Sequence, residues 1–255
     1  MKNVFIAGVQ KSGTTALHTY IGGHSHVSPS MKKELHFFDD EKIDWQCPSY
    51  DRFLSEVGYV HGKINCDATP IYLYWPNSIR RLHNYDPKAQ IIIVLRHPVF
   101  RAHSHWRMER MRGAEALPFS DAIRSGRARV KEAKNGAHRI YSYVERGFYA
   151  EQIKHLLTYY PRSQIHFTTT DQLWLEPKLT LSLIERFLKI PEELNCEPEY
   201  IISARTDSED QIIKTDFAFL MEEFSTDICT TAEVTGLPLG NWLDEEYQEP
   251  VKDVK

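Results

Sequence analysis

A run of five consecutive aliphatic residues at positions 91–95 restricts the fold of this chain more than any other feature. A strand with one solvated face alternates apolar and polar residues, whereas this run is apolar at every position. Both faces of the strand at residues 90–95 must therefore be covered, as they are in parallel sheets that lie between two layers of helices. Further strand patterns occupy residues 3–9, 63–67 and 165–170.

Helical patterns alternate with these strands along the chain. They occupy residues 14–22, 76–84, 99–112, 120–134, 149–160, 179–188 and 217–228. This alternation predicts an α/β fold with a central, mostly parallel sheet and helices on both of its faces. No segment rich in Pro, Gly or Ser divides the chain, so we expect a single domain over residues 1–255.

The composition is that of an ordinary soluble globular protein. The chain has 255 residues, of which 42% are hydrophobic, and these values exclude wholesale disorder. No apolar run approaches the roughly 20 residues that span a bilayer, and the N-terminus enters a strand pattern without a signal segment. The four cysteines lie far apart with no CxxC pair, which favours reduced thiols. We therefore expect a cytoplasmic protein with no membrane partner.

Charge is distributed unevenly along the chain, although the formal net charge is only −4. Residues 96–139 contain 11 Lys and Arg against 4 Asp and Glu, whereas residues 192–255 contain 4 against 17. The basic middle indicates an anionic ligand, and its charges on residues 120–139 would either border an acceptor cleft or form a solvated helix face. The acidic tail argues against nonspecific binding of nucleic acid by the whole chain.

The segment after the first strand pattern has the features of a phosphate-binding loop. Residues 8–15 read Gly-Val-Gln-Lys-Ser-Gly-Thr-Thr and lead into a helix. Glycines allow the backbone to turn tightly, the N–H groups at the helix start face an anion, and the helix dipole favours negative charge. The candidate ligand residues are Gly8, Gln10, Lys11, Ser12, Gly13, Thr14 and Thr15.

The position of the lysine in this loop separates it from the P-loop of nucleoside-triphosphate enzymes. The spacing of Gly8 and Gly13 matches that P-loop, but the position after the second glycine holds Thr14 instead of lysine. The lysine stands earlier, at Lys11, where it suits the 5′-phosphate of a nucleotide better than a β- or γ-phosphate. A plain glycine turn into a helix is the alternative interpretation.

Two further segments carry candidate site residues. Arg96 follows the buried strand directly and Ser104 lies about two turns into the next predicted helix, where a guanidinium and a hydroxyl would suit a second phosphate. Residues 33–39 read Lys-Glu-Leu-His-Phe-Phe-Asp. Desolvation by the two phenylalanines would raise the pKa of Glu34 and suit it to act as a general base, with His36 as an alternative base or a partner.

In this order, the three segments resemble the sulfotransferases that use 3′-phosphoadenosine 5′-phosphosulfate (PAPS). The similarity is greatest to the heparan-sulfate-type branch, which includes glucosaminyl N- and 3-O-sulfotransferases and soluble bacterial relatives. Residues 8–15 resemble that family's 5′-phosphosulfate loop, residues 33–38 its Lys-Glu-x-His-Phe-Phe signature, and Arg96 with Ser104 its 3′-phosphate motif. The resemblance covers most of the chain and implies a P-loop-like three-layer α/β/α fold.

The resemblance also implies a reaction. A sulfonyl group would move from PAPS to a hydroxyl or an amine, leaving adenosine 3′,5′-bisphosphate (PAP). Lys11 would stabilise the charge on the leaving phosphate oxygen, and Glu34 or His36 would take the acceptor's proton. Arg96 and Ser104 would hold the 3′-phosphate, and the family pattern requires no metal.

The sequence departs from this family at two places. The glycosaminoglycan enzymes carry a lysine that corresponds to Ala68, and its loss favours a small natural product or a simple glycan as acceptor. The family's late loop, rich in glycine and lysine, closes over the 3′-phosphate. The corresponding residues 203–208 offer only Arg205 as a cofactor ligand.

Other functions remain open at this point. A P-loop small-molecule kinase, a non-catalytic polyanion-binding protein and a pseudo-enzyme that binds PAP are the alternatives. Two histidine pairs, at residues 24 and 26 and at residues 103 and 105, lack a nearby cysteine or carboxylate cluster, so we expect no metal site. We expect no nucleic-acid partner, and the sequence carries no signal of the oligomeric state.

Overall fold

A computed structural model describes residues 2–193 and 212–250 of the chain. The strands are β1 (Lys2–Gly8), β2 (Val27–Pro29), β3 (Ile64–Asp67), β4 (Gln90–Leu95) and β5 (Ile165–Thr169). The helices are α1 (Thr14–Gly22), α2 (Asp51–Val57), α3 (Ser78–Tyr85), α4 (Pro98–Met111), α5 (Phe119–Ala122), α6 (Ala128–Lys131), α7 (Tyr149–Tyr159), α8 (Thr170–Leu175), α9 (Pro177–Leu188) and α10 (Lys214–Thr235).

The five strands form one sheet in the order β2-β3-β1-β4-β5, and every pairing is parallel. The predicted parallel α/β architecture is therefore confirmed. β1 lies at the centre of the sheet, between β3 and β4. Because parallel strands end at one edge of the sheet, the segments that follow β1, β2 and β3 all begin at that edge.

Both faces of the sheet are buried. Residues 91–95 of β4 have no exposed surface, as the aliphatic run predicts. On one face, β1 contributes to an apolar cluster with α1 and α9. This cluster includes Val4, Ile6, Leu17, Ile21, Leu181, Ile184 and Leu188. On the other face, the ring of Phe5 lies 5.8 Å from that of Phe38 and 6.1 Å from that of Phe53, measured between centroids.

Contacts between Cα atoms divide the described residues into two compact units. The first contains residues 2–95, 155–193 and 250, and therefore the whole sheet. The second contains residues 96–154 and 212–249. The single domain expected over residues 1–255 stays a prediction.

Most predicted elements are present, but the helix predicted over residues 120–134 is wrong. The chain there forms α5, a 3₁₀ turn at Ser125–Arg127 and the single turn α6. Gly126 interrupts the helix, since glycine costs about 1 kcal/mol relative to alanine in a helix interior. Its backbone also packs so closely that a Cβ would lie 3.2 Å from the Asp121 carbonyl oxygen.

Three elements were absent from the sequence-based prediction, namely β2, α2 and α8. They are 3, 7 and 6 residues long. Segments this short complete too few periods for an apolar repeat to be recognised. Among the described residues, no helix combines the length and apolar character that a membrane span requires. Cys47, Cys66 and Cys229 are free thiols.

Candidate active site

The loop between β1 and α1 is shaped by its two glycines. Gly8 ends β1 and packs against Leu73, so that a Cβ added there would lie 2.9 Å from the Leu73 Cδ2 atom. Gly13 precedes α1 with a φ of 82°, in the left-handed region that favours glycine. The loop therefore has the sharp turn that the sequence predicts.

Hydrogen bonds fasten this loop to the ends of neighbouring strands. The Val9 N–H donates to the Val94 carbonyl oxygen of β4 at 2.9 Å. The Thr170 hydroxyl lies 3.1 Å from both the Ser12 carbonyl oxygen and the Leu95 carbonyl oxygen. Thr170 therefore ties the loop to the end of β4. The sequence analysis missed this residue, because only the fold brings positions 12 and 170 together.

The loop offers hydrogen-bond donors to an anion. The N-cap residue of α1 is Gly13, which has no side chain to cap the helix, and the first turn contains no acidic residue. The Ser12 hydroxyl is fully buried and has no hydrogen-bond partner among the described residues. A buried polar group without a partner carries a free-energy cost that an anion oxygen at this place would relieve. Lys11, with a φ of 74°, lies within the same loop.

A chain of charged groups follows β2. Lys33 Nζ donates to Glu34 Oε1 at 2.9 Å, and His36 Nε2 lies 3.4 Å from Glu34 Oε2. His36 Nδ1 lies 2.9 Å from Oδ2 of Asp39, a carboxylate with no exposed surface. The imidazole of His36 thus stands between two carboxylates. The sequence analysis did not select Asp39, although its spacing of three residues from His36 is a signal for such a pair.

These neighbours shift the pKa values of Glu34 and His36 in opposite directions. Burial alone would raise the pKa of Glu34, but the hydrogen bond from His36 and the charge of Lys33 outweigh it and lower the value to about 2. Hydrogen bonds to Asp39 and Glu34 raise the pKa of His36 to about 9. At neutral pH, Glu34 is therefore a carboxylate and His36 an imidazolium.

The raised pKa that the sequence predicts for Glu34 is therefore wrong. The two phenylalanines that follow His36 are buried in an aromatic cluster: the ring of Phe37 lies 5.2 Å from that of Phe38 and 5.4 Å from that of Phe53. The Glu34 side chain itself keeps 32% of its surface exposed. Opposite charges, which lower the pKa of a carboxyl group, prevail over its partial burial.

In the second unit, Arg96 already binds a carboxylate. Its Nε and Nη2 atoms donate to the two carboxylate oxygens of Glu249 at 2.6 and 2.5 Å, and both side chains are largely buried. The Tyr149 hydroxyl donates to the Arg96 carbonyl oxygen at 2.7 Å. Ser104 lies on α4 with a partly exposed side chain. No sequence signal links Glu249 to Arg96, since the two are 153 residues apart.

Three arginines in the basic middle of the chain form ion pairs with carboxylates. Arg124 pairs with Asp216 at 2.7 Å, and Arg129 pairs with Glu115 at 2.7 Å. Arg127 lies 2.9 Å from a carboxylate oxygen of each of two glutamates, at positions 145 and 223. These three arginines are therefore matched by carboxylates, whereas Lys131 and Lys134 of the same stretch are exposed.

The two histidine pairs have structural partners. The rings of His103 and Trp106 stack with centroids 5.6 Å apart, and the ring of His105 meets the Tyr143 ring edge-on at 4.8 Å. His24 Nδ1 lies near His26 and Glu193, but it accepts the His26 N–H at 3.0 Å. Its Nε2 lies 2.9 Å from the Pro191 carbonyl oxygen, so both ring nitrogens are engaged by the protein.

Two positions complete the comparison with the sequence-based site. Ala68, where the related glycosaminoglycan enzymes carry lysine, is fully buried. Arg205 lies outside the described residues. The described candidates therefore fall into two groups, with residues 8–15, Glu34 and His36 in the first unit and Arg96 and Ser104 in the second.

The raised pKa of His36 predicts that this residue stabilises the fold in a pH-dependent way. Because the folded pKa is about 9 and the ordinary value is 6.5, the stabilisation is complete below pH 6.5 and disappears as the pH rises through 9. We expect His36→Asn, whose new side chain tolerates the φ of 51° at this position, to be less stable than wild type at pH 6 and nearly equal at pH 10. Urea unfolding at both pH values measures the difference.

The exposed His61, changed to Asn, controls for removal of an imidazole. A stability difference between wild type and His36→Asn that stays the same at pH 6 and pH 10 would contradict the charge assignment.

Comparison with known proteins gives the family of this chain. Residues 1–205 match the sulfotransferase domain family. Heparan sulfate glucosamine 3-O-sulfotransferase 6 from Homo sapiens is 29% identical over 187 residues, which cover 72% of this chain and 51% of that protein. The bifunctional heparan sulfate N-deacetylase/N-sulfotransferase from Drosophila melanogaster is 29% identical over 209 residues, covering 72% of this chain and 19% of that protein. The chain thus spans about half the length, or less, of these relatives.

Solved structures share the fold. A sulfotransferase from Alicyclobacillus acidocaldarius superposes with a TM-score of 0.78 at 22% identity, covering 95% of this chain and 98% of that one. The sulfotransferase domain of the curacin biosynthetic pathway gives a TM-score of 0.52 at 18% identity, covering 76% of each chain. These structures share the fold, and the family match over residues 1–205 shows that the chain belongs to the sulfotransferase family.

Proposed function

We propose that this protein transfers a sulfonyl group from PAPS to a hydroxyl or an amine of a small natural product or a glycan. The observation that carries the proposal is the pairing of two loops at one sheet edge. The anion-binding loop follows β1, and the segment with Glu34 and His36 follows β2. Between these strands lies β3, which is hydrogen-bonded to both. The loop proposed to bind the phosphosulfate and the segment with the candidate base therefore begin at the same edge of the sheet.

The residues of the first loop fit a phosphosulfate. Ser12 offers a buried hydroxyl without a partner in the part of the chain that the structure describes, and α1 begins after Gly13, which has no side chain to cap the helix N–H groups. PAPS supplies an activated sulfonyl group, whose bond to the bridging oxygen of the 5′-phosphate breaks during transfer. Lys11 would stabilise the negative charge that remains on that oxygen, and the loop N–H groups would share this task. In this proposal, Lys11 and the loop N–H groups supply the positive charge that the leaving phosphate oxygen requires.

Glu34 is the favoured general base. Its pKa of about 2 makes it a weaker base than an ordinary carboxylate but keeps it ionised at neutral pH, and the acceptor hydroxyl becomes acidic enough to lose its proton to Glu34 as its oxygen bonds to sulfur. His36 is the weaker alternative, because a pKa of about 9 leaves it protonated between two carboxylates. We assign His36 the role of a positive partner that holds Glu34 in its ionised form.

Arg96 and Ser104 are proposed to hold the 3′-phosphate, a role that rests on the family resemblance. Arg96 binds Glu249 through the same two-pronged geometry that guanidinium groups use for phosphate. The Glu249 carboxylate would therefore have to release Arg96 when a 3′-phosphate binds.

The relatives' names refer to heparan sulfate, but the acceptor proposed here is smaller. Ala68 removes a positive charge that the family's glycosaminoglycan enzymes carry, and three arginines of the basic middle are paired with carboxylates. Neither feature attracts a highly sulfated chain. The cytoplasmic location expected from the sequence stays part of this proposal.

Binding of PAP without metal is the first test. A ligand at 100 times its dissociation constant stabilises a protein by about 2.7 kcal/mol, a readily measured rise in Tm. We expect such a rise with PAP in EDTA, and a much smaller one in Lys11→Ala and Arg96→Ala. A rise only with ATP and Mg²⁺ would instead favour a kinase. No rise with either, together with salt-sensitive binding to heparin, would favour a polyanion-binding protein.

Removing the carboxylate that occupies Arg96 should strengthen PAP binding. Without its anionic competitor, the Arg96 guanidinium is available to the 3′-phosphate, and we expect Glu249→Gln to lower the Kd for PAP about fivefold, the equivalent of about 1 kcal/mol. Isothermal titration calorimetry measures the effect, and the exposed Glu246, changed to Gln, is the control. Weaker binding in Glu249→Gln would show that Glu249 orients Arg96 for the phosphate instead of competing with it.

Loss of the candidate base should reduce turnover without reducing PAP affinity. We expect Glu34→Gln to lower turnover about 10²-fold, a typical contribution of a general base, while the Kd for PAP stays near that of wild type. Turnover is measured with radiolabelled PAPS and with glucosamine as acceptor, because glucosamine has both hydroxyl and amine groups. The slow hydrolysis of PAPS is a second measure of turnover. The exposed Glu132, changed to Gln, is the control. Full activity in Glu34→Gln would remove Glu34 from the mechanism.

A further inference from the structure

The segment that carries the candidate base has an unfavourable backbone conformation. Glu34 has a φ of 58° and His36 a φ of 51°, both in the left-handed region. Residues with a Cβ adopt this region at a cost of order 1 kcal/mol, and they remain in it only where their surroundings hold them. Two such residues, separated by Leu35 alone, require a strong external constraint.

Two buried side chains supply that constraint. The Asp67 carboxylate accepts the N–H of Leu35, and the Tyr72 hydroxyl accepts the N–H of Phe37 at 3.1 Å. Leu35 and Phe37 are the neighbours of His36 on either side. The backbone is therefore held immediately before and immediately after the imidazole that contacts Glu34.

Asp67 and Tyr72 are themselves held in place. Asp67 is the last residue of β3 and lies in register with Phe5 of β1, the strand that leads into the anion-binding loop. Its carboxylate accepts bonds from the Tyr72 hydroxyl and from the Thr69 hydroxyl, the latter at 2.9 Å. Asp67, Thr69 and Tyr72 have no exposed surface.

A carboxylate at this place is costly to the fold. Burial raises the pKa of Asp67 to about 6, although hydrogen bonds from Thr69, Tyr72 and Leu35 oppose the shift. A carboxylate whose pKa is raised in the folded protein destabilises that fold at neutral pH. Its charge therefore opposes folding at neutral pH, while its hydrogen bond from the Leu35 N–H holds the backbone beside His36.

We propose that Asp67 and Tyr72 are positioning residues, which orient Glu34 and His36 for proton transfer by holding the N–H groups of Leu35 and Phe37. This inference rests on the proposed role of Glu34 as the base. Neither side chain acts on the reacting atoms directly. Their effect reaches the reaction through the backbone between Glu34 and Phe37.

Tyr72→Phe is the sharpest test, because it removes one hydroxyl and preserves the ring. Tyr160→Phe is the matched control: Tyr160 is also fully buried, and its hydroxyl donates to the Asp86 carbonyl oxygen at 3.0 Å. We expect a comparable fall in Tm in both variants. Only Tyr72→Phe should lower turnover, about tenfold, with the Kd for PAP unchanged in either.

A second measurement does not depend on turnover. If the segment loosens, His36 moves away from its carboxylates and its pKa falls from about 9 towards its ordinary 6.5. NMR titration of the imidazole should show this fall in Tyr72→Phe, which removes no charge, but not in Tyr160→Phe. The inference is overturned if Tyr72→Phe matches Tyr160→Phe in both turnover and the pKa of His36.

A double variant separates this inference from the proposed function. If Tyr72 acts through Glu34, then Tyr72→Phe should lower turnover little further in a Glu34→Gln background. If the two substitutions lower turnover independently, so that their effects multiply in the double variant, Tyr72 has a general structural role. That result would overturn this inference but not the proposed role of Glu34. Full turnover in Glu34→Gln by itself would overturn the proposed base and, with it, the inference.

Discussion

Burial of residues 91–95 of β4 is the constraint on which the candidate site depends. A run that is apolar at every position needs covering on both faces, and parallel pairing with β1 and β5 leaves both faces to the helical layers. Parallel pairing in turn brings the carboxyl ends of the strands to one edge. The loop after β1 is then fastened there by the Val94 carbonyl oxygen and, through Thr170, by the Leu95 carbonyl oxygen.

Charge balance determines which chemistry this edge can support. Lys33 and His36 surround the Glu34 carboxylate with positive charge, which outweighs partial burial and keeps it ionised. His36 owes its own positive charge to Glu34 and to the buried Asp39. In the second unit, the Glu249 carboxylate binds Arg96, the residue that is proposed to bind the 3′-phosphate of the ligand. Glu34, His36 and Arg96 are thus each already matched by an opposite charge.

Local sequence was a good guide wherever one segment carried the whole signal. The glycines of residues 8–15 and the strand at residues 90–95 predicted a tight turn into a helix and a doubly covered strand, and the structure contains both. The same reasoning was wrong for residues 120–134, where Gly126 and its close packing outweigh the helical pattern. It was also wrong about the pKa of Glu34. Phenylalanines that are close to Glu34 in the sequence need not surround its carboxyl group in the fold, and their rings pack into the aromatic cluster.

The sequence by itself determined the family, the parallel α/β architecture and the residue types available for anion binding and proton transfer, since these depend on local patterns and their order. Only the tertiary structure decided which groups meet. Thr170 binds the loop at Ser12, Asp67 binds the backbone at Leu35, and Glu249 binds Arg96. Each contact joins residues far apart in the chain, and its strength depends on burial and on distances of about 3 Å. Neither quantity exists until the chain has folded.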